Sequence, residues 1–267
     1  MNISIISSSD YECEFTLKNS SGPIANALRK TMMNHVPMLA IDKIVSIENT
    51  SVLTNEQLIQ RLYFIPMIST NVDDYVMFNE CKCDKDCDKC SIPFSINVKN
   101  TTKSNITVYS NDIIVDSSIV KPFKETKYSI PITKLSPGQV FIVKGFIKKG
   151  TGKFHSKWSP VGTTFYKFLP VVNIKNKAEM TLEEKKKLVQ VCPVNVFSLK
   201  KGKKSNDIED ILIDVEKCTM CNECVYKFPT QLEVGYSSET IFFTVESIGS
   251  LKVDVIINNA LEFLKTI

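Results

Sequence analysis

Nine cysteines stand in a chain of 267 residues, and four of them fall in one short run, CKCDKDCDKC, at Cys81, Cys83, Cys87 and Cys90. The spacing is C-x-C-x3-C-x2-C. In an extended segment Cys81 and Cys83 point to the same side, because side chains alternate along a strand. Cys87 and Cys90 make a tight knuckle that presents two sulfurs together. Four thiolates placed in this way can close on one tetrahedral ion, Zn2+ above all, with Zn–S near about 2.3 Å. That unit carries about −2 of charge, and Lys82, Lys85 and Lys89 are interleaved where they could offset it. With all four positions filled by protein, no water is left to activate, so the expected role is structural. Two disulfides or four free thiols are the competing readings.

A second set follows at Cys218, Cys221 and Cys224, spaced C-x2-C-x2-C. This is the triplet that wraps three corners of a [4Fe–4S] cube in bacterial-type ferredoxins. The run would continue x3-C-P, but Phe228-Pro229 stands there, so the ligand for a second cluster is missing. A remote Cys192-Pro193 is present instead. One cubane on Cys192, Cys218, Cys221 and Cys224 is chemically complete. Zinc on the same four thiolates is the rival, and an empty or disulfide-closed site remains open.

Composition limits what else the chain can be. Hydrophobic residues make up 43% and charged residues 23%, which suits a globular protein with a real core. A net charge of +4, evenly spread, does not by itself point to nucleic acid. The start, MNISIISSSDYECEF, lacks a basic segment followed by an apolar run, so no signal peptide is expected. No stretch approaches ~18 apolar residues, so no membrane span is expected either. Clustered cysteines in a chain of this size suit metal ligation in a reducing compartment. No paired acids or nucleophile–base set stands out. With nine glycines there is no phosphate-cradling loop. His35, near a helix end, is explained by packing and the helix dipole. His155 reads as a surface contact, Trp158 as a packing residue, and Lys200, Lys201, Lys203 and Lys204 as a solvated charge run.

The elements that must position these cysteines are legible as a pattern. Residues 2–17 alternate as a strand, with Cys13, Phe15 and Leu17 on one face. SSGPIANALRKTMMNHVP reads as a helix, with Ser20 or Ser21 as cap, Pro23 in the first turn and Pro37 as the stop. Its stripe is Ile24, Ala27, Leu28, Thr31, Met32 and His35. AIDKIVSIENTSV is a strand and turn, and NEQLIQRLYFIPM a short helix ended by Pro66. FSINVKN, NITVYSN, YSIPIT and QVFIVKGFIKKG read as strands of an antiparallel sheet. GTGKFHSKWSPVGTTFYKF reads as a turn-rich link and SLKKGKKSND as a solvated loop. TLEEKKKLVQVCP is a helix with a Thr181–Glu184 capping box. ETIFFTVES is a strand, and the last segment a helix capped by Ser250 with a stripe of Val253, Ile256, Ile257, Ala260, Leu261 and Leu264.

Neither chain end makes a domain alone, and both stripes must pack on something. The economical reading is an α+β protein in which one domain is built from both ends, with the cysteine segments inserted between. Two helical stripes on a small sheet can also leave apolar surface for a second subunit.

Five blocks, GPIANALRKTMMNHVPMLAID, NEQLIQRLYFIPM, CKCDKDCDKCSIPF, GTGKFHSKWSPV and FTVESIGSLKVDVIINNALEFLK, occur in an order that carries a resemblance over nearly the whole chain. The chain resembles the alpha-like subunits of multisubunit DNA-directed RNA polymerases. These are the third-largest subunit of eukaryotic RNA polymerase II, its archaeal D-type counterpart and, more distantly, the bacterial alpha N-terminal domain. The first cysteine cluster looks like the zinc site of the eukaryotic protein. CPVNVF and CTMCNEC look like the ferredoxin-like insertion found in some of the archaeal proteins.

The resemblance implies a split dimerisation domain over residues 1–46 plus 232–267. It implies an inserted, mostly antiparallel-β zinc-binding domain over 47–172 and a small ferredoxin-like α+β domain over 173–231. It implies no catalytic site in this chain, which would instead be an assembly subunit of the polymerase. The partners implied are a smaller alpha-like subunit, the beta-like second-largest subunit and small zinc-binding polymerase subunits, with DNA met only through the complex and no membrane. The interface implied draws on Ile24, Asn26, Leu28, Arg29, Lys30 and Met32 of the first helix, on Arg61, and on Ile256, Ala260 and Leu264 of the last. Two departures stand out: Lys30 occupies a position that is often arginine in relatives, and Tyr63 replaces a usual glycine. The compartment implied is intracellular, the nucleus for a cellular eukaryote and the cytoplasm or virion for a virus. Two other functions fit parts of the sequence, a zinc-containing nucleic-acid-binding protein and a ferredoxin-type redox protein.

Overall fold

Residues 2–17 divide into two strands rather than one, β1 (Asn2–Ser8) and β2 (Glu12–Lys18). Ser9 makes the break. Its hydroxyl accepts from the Glu12 N–H at 3.0 Å, and its own N–H donates to the Glu12 carbonyl at 2.8 Å. This side-chain turn chemistry competes locally with a continuous strand. β2 keeps the expected face, since Cys13, Phe15 and Leu17 are buried. Every residue of β1 is exposed. The structure is a computed structural model that describes residues 2–83, 86–124, 129–175, 180–201 and 208–266; Lys85, Lys203 and Lys204 lie outside the described residues.

β2 lies beside a strand from the far end of the chain, β12 (Leu232–Ser247), in a sheet of order β1-β2-β12-β9. β9 is Val161–Ile174, so GTTFYKF, expected within a link, is strand; its aromatic and β-branched residues suit that state. Phe15 stacks on Phe243 with centroids 5.0 Å apart. The turn between β1 and β2 also meets the C-terminal segment. Ser247 donates its N–H to the Tyr11 carbonyl, Val253 donates to the Asp10 carbonyl, and Lys252 reaches the Asp10 carboxylate at 3.1 Å.

The first helix, α1 (Gly22–Asn34), has Pro23 in its first turn as expected, but the Ser20 hydroxyl has no partner and caps nothing. The last helix, α5 (Val253–Lys265), begins after Lys252, and the buried Ser250 hydroxyl likewise has no partner. Both stripes turn inward: Leu28, Met32, Ile256 and Ala260 have at most 1% of their surface accessible. His35, directly after α1, stacks on Phe263 of α5 with centroids 4.4 Å apart. Burial and Lys153 hold the His35 pKa below the usual imidazole value, which suits a packing role.

The cysteine-bearing middle is built on β3 (Pro37–Asn49), β4 (Ser91–Lys99), β6 (Ile114–Val115) and β8 (Val140–Thr151). They form an antiparallel sheet of order β3-β8-β4-β6. β5 (Ile106–Tyr109) pairs with β7 (Pro131–Leu135). α2 (Asn55–Tyr63) covers the core through Leu58 and Leu62, packed with Ile41, Phe94, Phe141 and Val143. Thr54 caps α2 in a box with Gln57, a signal present in the sequence and not read there. Tyr63 lies under the Lys157 ammonium at 4.0 Å, and Lys157 also pairs with Asp42 at 2.7 Å. The ring therefore shields a buried cation. Trp158 is buried, stacked on Phe78 and bonded to the Lys148 carbonyl.

A further core lies between Val172 and Leu232. It holds Leu188 from α3 (Leu182–Val191), Phe197 from β10 (Phe197–Lys201), Ile211 from β11 (Ile208–Ile213) and Cys224 from α4 (Glu223–Lys227). Thr181 and Glu184 form the expected capping box. Residues 198–201, expected as loop, pair with β11 instead; Phe197 and Leu199 supply an alternating apolar face that the lysines obscured.

The chain divides into two compact units. One is Met1–Ile5, Phe15–Ala25 and Tyr166–Phe243; the other is Ile6–Glu14, Asn26–Phe165 and Thr244–Ile267. Each draws on both chain ends. Among the described residues no helix is long and apolar enough to cross a membrane.

Two glycines separate backbone strain from packing. Gly138 has φ +80° with open space around a Cβ, whereas Gly249 has φ +93° with Phe123 atoms 2.5 Å from one. Gly138→Ala is expected to cost about 1 kcal/mol. Gly249→Ala should cost that and a further ~1–3 kcal/mol of overpacking. Urea unfolding midpoints test this, and equal losses would show that Phe123 moves aside freely.

Candidate metal centres and assembly surface

The loop that carries the first cysteine set is fastened at both ends to the middle sheet. Met77 bridges to Lys149, and Val76 donates its N–H to the Lys89 carbonyl at 2.9 Å. Cys90 and Ser91 both donate to the Cys87 carbonyl at 2.9 Å, closing the knuckle directly before β4. Asp86 ties the loop across the sheet. It pairs with Lys148 at 2.6 Å and with Lys43 at 2.7 Å, and these two lysines hold its carboxyl below the usual range. Nothing in the local spacing marks Asp86 for this role, because its partners lie on β3 and β8, far away in sequence.

Between the sulfurs, Cys81–Cys83 is 3.3 Å, Cys81–Cys87 3.7 Å, Cys83–Cys90 3.7 Å and Cys87–Cys90 3.6 Å. A tetrahedron with Zn–S of about 2.3 Å has edges of about 3.8 Å, so the observed edges match a single tetrahedral ion. A disulfide needs about 2.0 Å, far shorter than these edges, and none of the nine cysteines is paired in a disulfide in the structure. Among the described residues this is the one group whose ligand atoms gather so closely. The thiols also oppose one another electrostatically. The Cys81 hydrogen bond pushes Cys83 up to about 12, while the Lys89 backbone N–H draws Cys87 down to about 7. Burial raises Cys90. Four such thiols cannot all ionise side by side without a cation among them. Lys82 and Lys89, expected to balance the charge, are exposed; Lys148, whose ammonium feels Cys90, is the cation held close by the fold.

The second set is arranged differently. Cys192, Cys218, Cys221 and Cys224 line one largely apolar cavity with Val172, Val196 and Phe197. Cys192 and Cys224 are buried, and burial raises the Cys224 thiol. Backbone N–H groups face the sulfurs: Val196 donates to Cys192 at 3.3 Å and Met220 to Cys218 at 3.4 Å. Met220 and Asn222 have φ of +54° and +62°. Alternating backbone of this kind gathers N–H groups into an anion-binding concavity. The four sulfurs do not converge as the first set does.

The residues expected at a subunit interface are divided by the fold. Leu28, Met32, Ile256 and Ala260 have at most 1% of their surface accessible in this chain. Ile24 is 47% exposed, and Lys30 and Arg61 are exposed. Asn26, Arg29 and Leu264 are half-buried, with Arg29 held by the Asn26 side chain at 3.0 Å. Val255 on α5 and Ile3, Ile5 and Ile6 on β1 are exposed apolar residues that stripe counting missed.

The description "RNA polymerase Rpb3/Rpb11 dimerisation domain" matches residues 14–267. The DNA-directed RNA polymerase II subunit rpb3 of Dictyostelium discoideum is 33% identical over 264 residues, covering 94% of this chain and 87% of its own length. The DNA-directed RNA polymerase subunit Rpo3 of Methanosphaera stadtmanae is 30% identical over 258 residues, covering 94% and 90%. A conjugation stage-specific protein of Tetrahymena thermophila is 33% identical over 266 residues, covering 91% and 84%. With its two ends sharing one sheet and the match running from the second strand to the last residue, the chain belongs to the RNA polymerase Rpb3/Rpb11 dimerisation domain family.

Proposed function

We propose that this chain is a non-catalytic assembly subunit of a DNA-directed RNA polymerase. It pairs with a smaller alpha-like subunit, and the pair forms the docking platform for the beta-like second-largest subunit. Small zinc-binding polymerase subunits are further partners, DNA is met only through the complex, and the compartment is intracellular. The observation that carries this reading is the joining of the two chain ends in a member of this family: β2 beside β12, and His35, directly after α1, stacked on Phe263 of α5. Such an arrangement exists only when the whole chain has folded, and it leaves Ile24 exposed beside Asn26, Arg29 and Lys30. The three-part division at residues 46, 172 and 231 is proposed with it, supported by the separate cores around Phe141 and around Leu188.

The first cysteine set is proposed to hold a structural Zn2+ on Cys81, Cys83, Cys87 and Cys90. Its sulfur edges fit the ion, and a module of this size gains stability from a metal staple. The second set is proposed to hold one [4Fe–4S] cluster on Cys192, Cys218, Cys221 and Cys224. The sulfurs surround a cavity rather than a point, with N–H donors aimed at them. Neither the redox reading nor the nucleic-acid reading gains support from the relatives.

Three outcomes follow. Ile24→Asp should reduce recovery of the co-expressed smaller alpha-like subunit about tenfold or more while the unfolding midpoint stays unchanged; undiminished recovery would contradict the assembly reading. Cys83→Ser should lose the zinc found by metal analysis, and Asp86→Asn should weaken zinc roughly tenfold with all ligands intact; full zinc at unaltered affinity in Cys83→Ser would exclude the four-thiolate site. Anaerobically purified protein should contain about four irons with matching acid-labile sulfide, removed by Cys221→Ser; zinc without iron at the second set would refute the cluster.

A further inference from the structure

This inference deepens the assembly reading and rests on it. The chain has 31 lysines but only two arginines, Arg29 and Arg61. Arginine offers a planar fork of donors that grips a carboxylate at two points, which lysine cannot do. Arg61 lies in the last turn of α2, exposed to solvent. Its Nη2 donates to the Pro131 carbonyl on β7 at 2.8 Å. That bond fixes the plane of the guanidinium but neutralises no charge. The ion pairs among the described residues are all made by lysines. Arg61 is therefore oriented in advance and has no acid among the described residues.

Its surroundings are not those of an ordinary solvated cation. Arg61 and Pro131 stand where two open grooves meet. One is walled by Phe64, Ile65 and Ile130, the other by Val52, Leu53 and Lys134. Val52 is 88% exposed and Phe64 49% exposed. Apolar side chains left in water around one pre-oriented arginine match the make-up of a protein–protein anchor point. We propose that Arg61 anchors a docking groove for an acidic segment of a partner polypeptide. One carboxylate sits on the guanidinium, and apolar side chains flanking it lie along the Phe64 and Val52 walls. Nucleic acid fits less well. Phosphate binding draws on rows of cations along a backbone, and this groove offers one arginine and one rim lysine between apolar walls.

The test uses the polymerase purified with the full chain in place, carrying the photoreactive amino acid benzoyl-phenylalanine at the position of Val52. The expected result is a cross-link to a segment of another subunit in which Asp or Glu stands among apolar residues. A synthetic peptide of that segment should bind the full chain. Arg61→Lys, which keeps the charge and loses the fork, should weaken it about tenfold or more. Arg61→Glu should restore binding to a peptide whose acid is changed to arginine. Three results would overturn the proposal while leaving assembly intact: a cross-link to nucleic acid, no cross-link in a complex that contains the chain, or equal peptide affinity for Arg61→Lys and the unaltered chain. Absence of the chain from any polymerase complex would remove both.

Discussion

The rest of the structure depends on a strand pairing between the two ends of one polypeptide. β2 and β12 lie side by side although more than two hundred residues separate them. Closing a loop of that length costs entropy that grows only slowly with length, so the pairing is stable where it buries enough apolar surface. It does so through Phe15 on Phe243. The Asp10 turn adds a second clasp, accepting the Val253 N–H and the Lys252 ammonium. Since neither end has a core of its own, an incomplete chain cannot present the assembly surface. That is a useful property for a protein on which a larger complex is built.

The segments between the ends have their own means of support. The middle sheet is held by a conventional core around Phe141 and by α2. The cysteine loop has almost no apolar content and is instead tied down by backbone bonds, by the Asp86 pairs and by four convergent thiols. The second cysteine set belongs to a core of ten residues, small enough that a bound group at Cys192 and Cys224 would matter to its stability.

Much of this was legible in the sequence, and what was not has physical causes. The first cysteine set was read correctly as convergent because two-residue and three-residue spacings leave few other geometries. The Thr181–Glu184 cap was legible because a capping box is a local motif. The break at Ser9 was missed because alternation counts side chains and ignores a hydroxyl that competes for the backbone. The strand at 197–201 was hidden by its lysines. Most instructively, amphipathic stripes reveal that a helix face is buried but not against what. Leu28, Met32, Ile256 and Ala260 are buried within this chain, and the stripes alone do not name what covers them. Asp86 could not have been found at all, since its partners are 43 and 62 positions away, a separation fixed only by the sheet register.

The central claim is that the joined ends make this chain half of an assembly platform. Native mass spectrometry of the full chain co-expressed with the smaller alpha-like subunit of the same polymerase tests it most directly. A one-to-one complex that takes up the second-largest subunit is the predicted spectrum. A chain that stays a monomer beside a well-folded partner would contradict it.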